Sequence, residues 1–328
     1  MRGRFRRTKR LLFHGAVRLL QILAVGLPRP TALRVFAGIA RLVRRIDRPA
    51  VRRSLANLEI AARVASTEER RREIVREMFR GTGRNLVDLF RLGSGRTRRA
   101  VVEGVRFEGL EHLEAAVAKG RGVVLLSAHL GNWEVLAAAL VSHGLPLSVV
   151  AQELFDRRSD RLLNAWRRAC GVEVIRRREG IFRATRALRE GRILGTLVDQ
   201  DVGGASVFVP FFGRPARTAA GPFRLGRRVG AELVPAWITM GDDGVHRAVI
   251  HPALPRPAAA DPEEALRADV EEWHAILEKA IEAHPGQWVW HHRRWKTPPP
   301  EAPELRTWSS ESLYPATFQR SRKVSAAR

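Results

Sequence analysis

Cysteine is almost absent from this chain. A single thiol, Cys170, excludes an internal disulfide framework and fits a reducing compartment. There is no run of about 18 uncharged apolar residues, which excludes a clear polytopic membrane protein. No glycine-rich phosphate loop is present, and Gly203-Gly204 reads as a turn. Ser127 lacks a surrounding Gly-x-Ser-x-Gly elbow, and Cys170 ends an arginine-rich helix where it packs as a small apolar group. No serine or cysteine nucleophile is therefore in view. His291 and His292 have no cysteine or carboxylate cluster at ligand spacing, so neither a metal nor another cofactor is expected. Acidic residues are also scarce at the start, where Asp47 is the only one in residues 1–53.

What is there is charge and a core. The 328 residues carry 58 Lys+Arg against 34 Asp+Glu, a net +24, and are 45% hydrophobic. That suffices to bury a core in one large domain or two small ones. Residues 1–53 hold 15 Lys+Arg and one acid, so +14 of the excess lies there. Such a segment needs a polyanion, either nucleic acid or an anionic membrane surface. Arginine-rich coding bias contributes to the total but does not explain the missing acids. Residues 1–10 read as a basic arm and 11–27 as an apolar stretch broken by His14 and Arg18. Arg18 and the lack of a small-residue cleavage site argue against a secretory leader. With Arg29, Arg34 and Arg41 following, the pattern predicts one or two basic amphipathic helices lying on or dipping into a membrane; packing on the protein's own core is the alternative.

Residues 50–98 read as helical, with Thr67 as an N-cap before Glu68-Glu69. From about 105 short apolar runs alternate with helical stretches. Strands are expected at Val123–Leu126, Leu147–Ala151, Val172–Ile175, Ile193–Val198, Leu233–Ile238 and Ala248–Ile250. Helices are expected at 109–119, 132–143, 157–170, 180–190, 219–229 and 262–284. This is an α/β pattern with crossover connections. Three segments result: a basic anchoring segment over 1–48, an α/β domain over 49–300, and a polar tail over 301–328.

The informative stretch runs from Gly122 to Glu134, a buried strand, a small loop and a helix start. His129 and Glu134 are five apart, which on one helix leaves them about 140° off a common face. Contact therefore requires His129 in the loop and Glu134 in the first helical turn. Gly131 permits the bend and Asn132 is a candidate N-cap. A histidine beyond the carboxyl end of a strand sits where open α/β sheets bind ligands. A neutral imidazole there can take a proton from a hydroxyl, with a carboxylate fixing its tautomer. The helix N-terminus offers N–H groups and a positive dipole end to a developing oxyanion.

The string Leu125-Leu126-Ser127-Ala128-His129-Leu130-Gly131-Asn132-Trp133-Glu134 resembles the His-x4-Asp/Glu motif of the bacterial lipid A biosynthesis acyltransferases, the late acyltransferases related to the glycerolipid acyltransferases. Leu197-Val198-Asp199-Gln200-Asp201 resembles the family's Asp-Gln segment, and Val209 to Thr218 the substrate-site segment after it. Pro285 to Lys296 resembles the terminal Trp/Arg signature. Asn57-Leu58 and Gly109 fit as well, so the likeness covers about residues 10–297. It implies a mixed sheet flanked by helices, glycerolipid acyltransferase-like, preceded by N-terminal membrane-associated helices. It further implies an enzyme of the inner membrane, active on the cytoplasmic face, moving an acyl chain from acyl carrier protein to a hydroxyl of a phosphorylated glycolipid. In that reading His129 is the general base and Glu134 orients it. Arg167, Asp199, Gln200, Thr218 and Asn132 belong to the substrate site, with Asp199 partnering a basic group. Trp288, Trp290 and Trp295 read better as core or interfacial aromatics.

The motifs report the reaction more than the acceptor. Glu59-Ile60-Ala61-Ala62 departs from the family's aromatic-proline segment, so another envelope lipid, such as a mannosylated phosphoinositide, stays open. A nucleic-acid-binding protein remains a third reading, but it lacks a recognisable binding fold and leaves the His129 loop unexplained.

Overall fold

The computed structural model describes residues 2–305 except 155, 177–179, 257 and 259–260, and side chains from residue 13 onward. The expected tail lies outside the described residues from 306. Helix α1 (Arg2–Gly26) runs straight through the predicted basic arm, and α2 (Arg29–Ile46) starts after Pro28, which cannot continue a helix. Helices α3 (Arg48–Ile60), α4 (Glu68–Leu92) and α5 (Gly95–Glu103) follow. Thr67 caps α4 as expected, accepting from the Arg70 amide at 3.2 Å. Among the described residues no helix is long and apolar enough to cross a membrane.

Helix α2 has two apolar stripes. Ala32, Phe36 and Ala40, spaced by four, are buried. The crossing with α4 is so close that a Cβ on Gly83 would lie 2.5 Å from the Phe36 carbonyl oxygen. Val35, Ile39, Leu42, Val43 and Ile46 instead stay exposed, as do Phe13, Leu19 and Ile22 on α1. Arg29 fastens the start of α2: its guanidinium donates to both oxygens of buried Asp88, at 2.8 and 2.6 Å, and to the Gly244 carbonyl at 2.7 Å. His246 Nε2 lies 2.9 Å from the same carboxylate. Burial would favour protonated Asp88, but Arg29 and His246 outweigh it and hold the carboxyl below its usual range.

The chain then alternates. Strands β1 (Arg106–Glu108), β2 (Val123–Ser127), β3 (Leu147–Ala151), β4 (Glu173–Arg176), β5 (Ile193–Leu197), β8 (Glu232–Met240) and β9 (His246–Ile250) form one sheet in the order β1-β9-β8-β2-β5-β3-β4. All pairings are parallel except β8 with β9. Helices α6 (Leu110–Ala118), α7 (Trp133–Ser142), α8 (Arg157–Ala169), α9 (Gly180–Arg189), α10 (Gly221–Val229) and α11 (Pro262–Ala283) make the crossovers and flanks. Central β2 and β8 are buried throughout, as strands covered on both faces must be. The sequence missed β1 and the antiparallel hairpin β6 (Ser206–Phe211) with β7 (Arg214–Ala219). The hairpin encloses the segment Val209 to Thr218, read only as a substrate site.

Candidate active site

The site begins at the carboxyl ends of β2 and β5. These strands are neighbours, and their register pairs Ser127 with Leu197. Two residues past each end, His129 and Asp199 therefore face one another. His129 Nδ1 lies 2.7 Å from Asp199 Oδ1, and the His129 amide donates to Oδ2 at 2.8 Å. Burial opposes charge on Asp199, yet the facing His129 and its N–H groups more than offset this and hold the carboxyl far below the usual carboxylate range. An ionised Asp199 can only accept, so Nδ1 carries the proton and Nε2 keeps its lone pair.

Gly131 makes the turn, at φ 66°, with a built Cβ only 1.7 Å from the Ile238 carbonyl oxygen. Asn132 precedes α7 but makes no capping bond; its side-chain amide donates to the Asn85 carbonyl at 2.8 Å, while Asn85 donates to the Gly131 carbonyl at 2.9 Å. Asn132 thus ties the loop to α4 instead of capping α7. Glu134 stands in the first turn as expected, but its partner is not His129. Arg167 donates from Nε to Glu134 Oε2 at 2.9 Å and from a terminal nitrogen to Oε1, a bidentate pair with both side chains largely buried. The carboxylate on His129 is Asp199, and Glu134 sits on the guanidinium. Burial alone would lower the Arg167 pKa, but Glu134 overrides it and raises the value.

The terminal segment closes the other side. The Gly131 amide donates to the Gln287 carbonyl at 3.0 Å and the Val289 amide to the His129 carbonyl at 3.2 Å. This lays Trp288 over the couple, where its indole N–H donates to Asp199 Oδ2 at 2.9 Å. His292 lies with its ring 5.0 Å from that of His129. Gln200 Nε2 is 3.0 Å from His129 Nε2, 3.2 Å from Nδ1 and 3.3 Å from His292 Nε2. Such near-equal distances put the amide against the face of the ring. Asn57 holds the segment from α3, donating to the Trp290 and His292 carbonyls at 2.6 Å each. Burial, with His129 and His291 nearby, pushes His292 down to about 3, and burial with Arg53 pushes His291 down to about 4.

Trp133 packs edge-on to His129 at 4.8 Å and also lines an apolar cavity. Its walls are apolar side chains of β2, β3, β5 and α7, with Gly195 leaving room on β5 and the Glu134–Arg167 pair as its charged edge. Ser127 Oγ, which lines it too, is buried with no hydrogen-bond partner among the described residues.

A histidine held in one tautomer, near an apolar slot and an ion pair, is an arrangement that suits acyl transfer. Comparison with known proteins agrees. The family model "Bacterial lipid A biosynthesis acyltransferase" matches residues 3–297. The chain belongs to that family. It is 28% identical over 283 residues to the lipid A biosynthesis lauroyltransferase of Escherichia coli K12, spanning 86% of this chain and 90% of that one. It is also 32% identical over 158 residues to the phosphatidylinositol mannoside acyltransferase of Mycobacterium tuberculosis H37Rv, spanning 47% of this chain and 50% of that one.

Not every expected residue of this acyltransferase converges. Thr218 is fully buried on β7, accepting from Arg294 at 2.7 Å and lying 3.2 Å from His274 Nε2. Its contacts are with Arg294 and His274, not with His129. Arg294 is itself fully buried over the Phe211 ring, and burial lowers its pKa to about 10. Trp288 and His292 were not read as site residues. Trp288 is core as well, being only 1% exposed, so its indole bond to Asp199 is an added role that spacing does not reveal.

Proposed function

We propose that this acyltransferase moves a fatty acyl chain from the thioester of acyl carrier protein to a hydroxyl of a lipid A precursor. The observation that carries the reading is the His129–Asp199 couple, whose imidazole packs on Trp133, a wall of the apolar cavity. The cavity accommodates the donor chain. His129 Nε2 takes the acceptor's hydroxyl proton as its oxygen attacks the thioester carbon. The C–S bond then breaks, and the sulfur leaves as a thiol with the proton that His129 returns. Asp199 fixes the tautomer and stabilises the imidazolium. Glu134 acts through Arg167, whose charge edges the donor cavity, and the α7 N-terminus offers N–H groups to the oxyanion.

The enzyme works at the cytoplasmic face of the inner membrane. The support is the exposed stripe Val35, Ile39, Leu42, Val43 and Ile46 with Arg34, Arg41 and Arg45 beside it, the composition of a helix lying in an anionic interface. The basic excess also suits an acidic carrier protein and a phosphorylated acceptor. A second acceptor, a mannosylated phosphoinositide, is favoured by the likeness to the phosphatidylinositol mannoside acyltransferase. Mass spectrometry of envelope lipids from cells with and without the gene decides between them. A lipid A species lacking one acyl chain in the deleted strain is expected. An unchanged lipid profile, with no thioester consumed by the purified protein, would overturn the proposal.

A further inference from the structure

A second apolar space is linked to His129. The first cavity reaches it through Trp133. The His292 ring also contacts the His129 ring at 5.0 Å, and the His291 ring contacts His292 at 5.1 Å. His291 in turn lines a groove between α2 and α4. Its floor is Phe36, Met78 and Phe79, all buried, and its mouth is Ile39 and Val43. Both mouth residues belong to the exposed apolar stripe of α2, so the groove runs from that stripe to His291. Exposed Arg41, Arg45, Arg48 and Arg52 stand along the same end of α2 and the start of α3.

We propose that this groove holds an alkyl chain already present on the acceptor lipid. The inference rests on the acyl-transfer reading and names where the acceptor lies. Three observations favour the acceptor. The groove reaches His291, two ring contacts from His129, as a chain tethered to the reacting sugar requires. It shares no lining residue with the donor cavity, so two lipid chains can be present without competing. The exposed arginines on the adjoining end of α2 and start of α3 supply positive charge for the phosphate of a phosphorylated glycolipid, while the lining itself is apolar apart from Asp47, Thr82 and His291.

The test is photolabelling of the full-length protein in phosphatidylethanolamine–phosphatidylglycerol vesicles. The probe is an N-acyl glucosamine phosphate with a diazirine at its chain end, and adducts are mapped by mass spectrometry. Adducts at Met78, Phe79 and Leu86 are expected. Val43→Trp, which fills the mouth from an exposed position, should cut them at least tenfold with an unchanged unfolding midpoint, while Val43→Ala should keep them. Phosphatidylglycerol carrying the same diazirine should label these residues at least tenfold less. Adducts confined to the donor cavity or the outer face of α1, equal labelling by phosphatidylglycerol, or full labelling of a folded Val43→Trp protein would overturn the proposal. Thioester consumption by the unaltered protein is measured beside it. Failure of the acyl-transfer reading then shows as absent consumption, and failure of the groove as missing adducts.

Discussion

Replacing Asp199 by asparagine keeps the shape of the site and changes the tautomer of His129. Oδ2 accepts from two N–H groups, the His129 amide at 2.8 Å and the Trp288 indole at 2.9 Å. Only the carbonyl oxygen of an asparagine can occupy that position. Its NH2 group must then stand where Oδ1 was, 2.7 Å from His129 Nδ1. Two N–H groups cannot face each other at that distance, so the imidazole moves its proton to Nε2 and loses the lone pair the reaction uses. The expected loss in kcat is about 10⁴-fold, roughly 5.5 kcal/mol of transition-state stabilisation. Raising the pH should not restore it, because the neutral ring stays in the wrong tautomer. Stability should change by only about 1 kcal/mol, since two hydrogen bonds survive and the third reverses direction. Asp199→Ala would orphan three donors and cost about 3 kcal/mol or more, so it cannot separate chemistry from folding. The assay is thiol release from an acyl thioester with acceptor present, alongside denaturant unfolding. A folded Asp199→Asn enzyme within tenfold of normal turnover would refute the tautomer argument.

Glu134→Ala leaves the largely buried Arg167 guanidinium without its carboxylate, so unfolding experiments should show a loss of about 3 kcal/mol, with Glu134→Gln milder. His292 at about 3, His291 at about 4 and His274 well below normal are neutral in the fold and take up protons on unfolding. Their contribution is therefore complete above the unfolded value near 6.5 and is lost below it, by about 1.4 kcal/mol per pH unit for each histidine. A flat stability profile between pH 7.5 and 5 would contradict that burial. Asp199 runs the same way at lower pH: its folded value is depressed too, so its contribution is lost only below the ordinary carboxylate range near pH 4. Gly131→Ala forces a Cβ onto the Ile238 carbonyl at positive φ and should abolish turnover while destabilising the fold by more than about 2 kcal/mol. Leu42→Glu with Ile46→Glu should move the protein out of floated vesicles without unfolding it, and unchanged flotation would sink the interfacial role of α2.

The alternation of apolar runs and helical stretches located six strands of the sheet to within two residues at each end. Those strands are short, continuous and apolar, and little competes with that signal. β1 has only three residues and hairpin β6–β7 carries Pro210, Pro215, Arg214 and Arg217, so neither reads as a strand. His129 was legible because it follows a buried strand. Its partner was not. The five-residue spacing pointed to Glu134, but the contact with Asp199 depends on β2 and β5 being neighbours, and strand order is not written in any local pattern. Trp288 and His292 were hidden for the same reason: about ninety residues separate each from Asp199 or Gln200. Arg167 was found through the family likeness, and its carboxylate partner became clear only in the fold.

The Trp288 indole, bound to Asp199 across the sequence, has a consequence for synthesis. Helices α1 and α2 leave the ribosome before the sheet, and Trp288, which holds Asp199, leaves among the last of the described chain. On the proposed mechanism acyl-transfer competence therefore arrives late, after α1 and α2 have been free to meet a bilayer surface. A chain stopped before residue 287 should bind vesicles and consume no thioester. Turnover by such a truncated chain would show that the carboxylate is set without Trp288. On the proposed membrane-bound reading, a nascent enzyme built in this order does not deplete acyl donors before it is beside its acceptor.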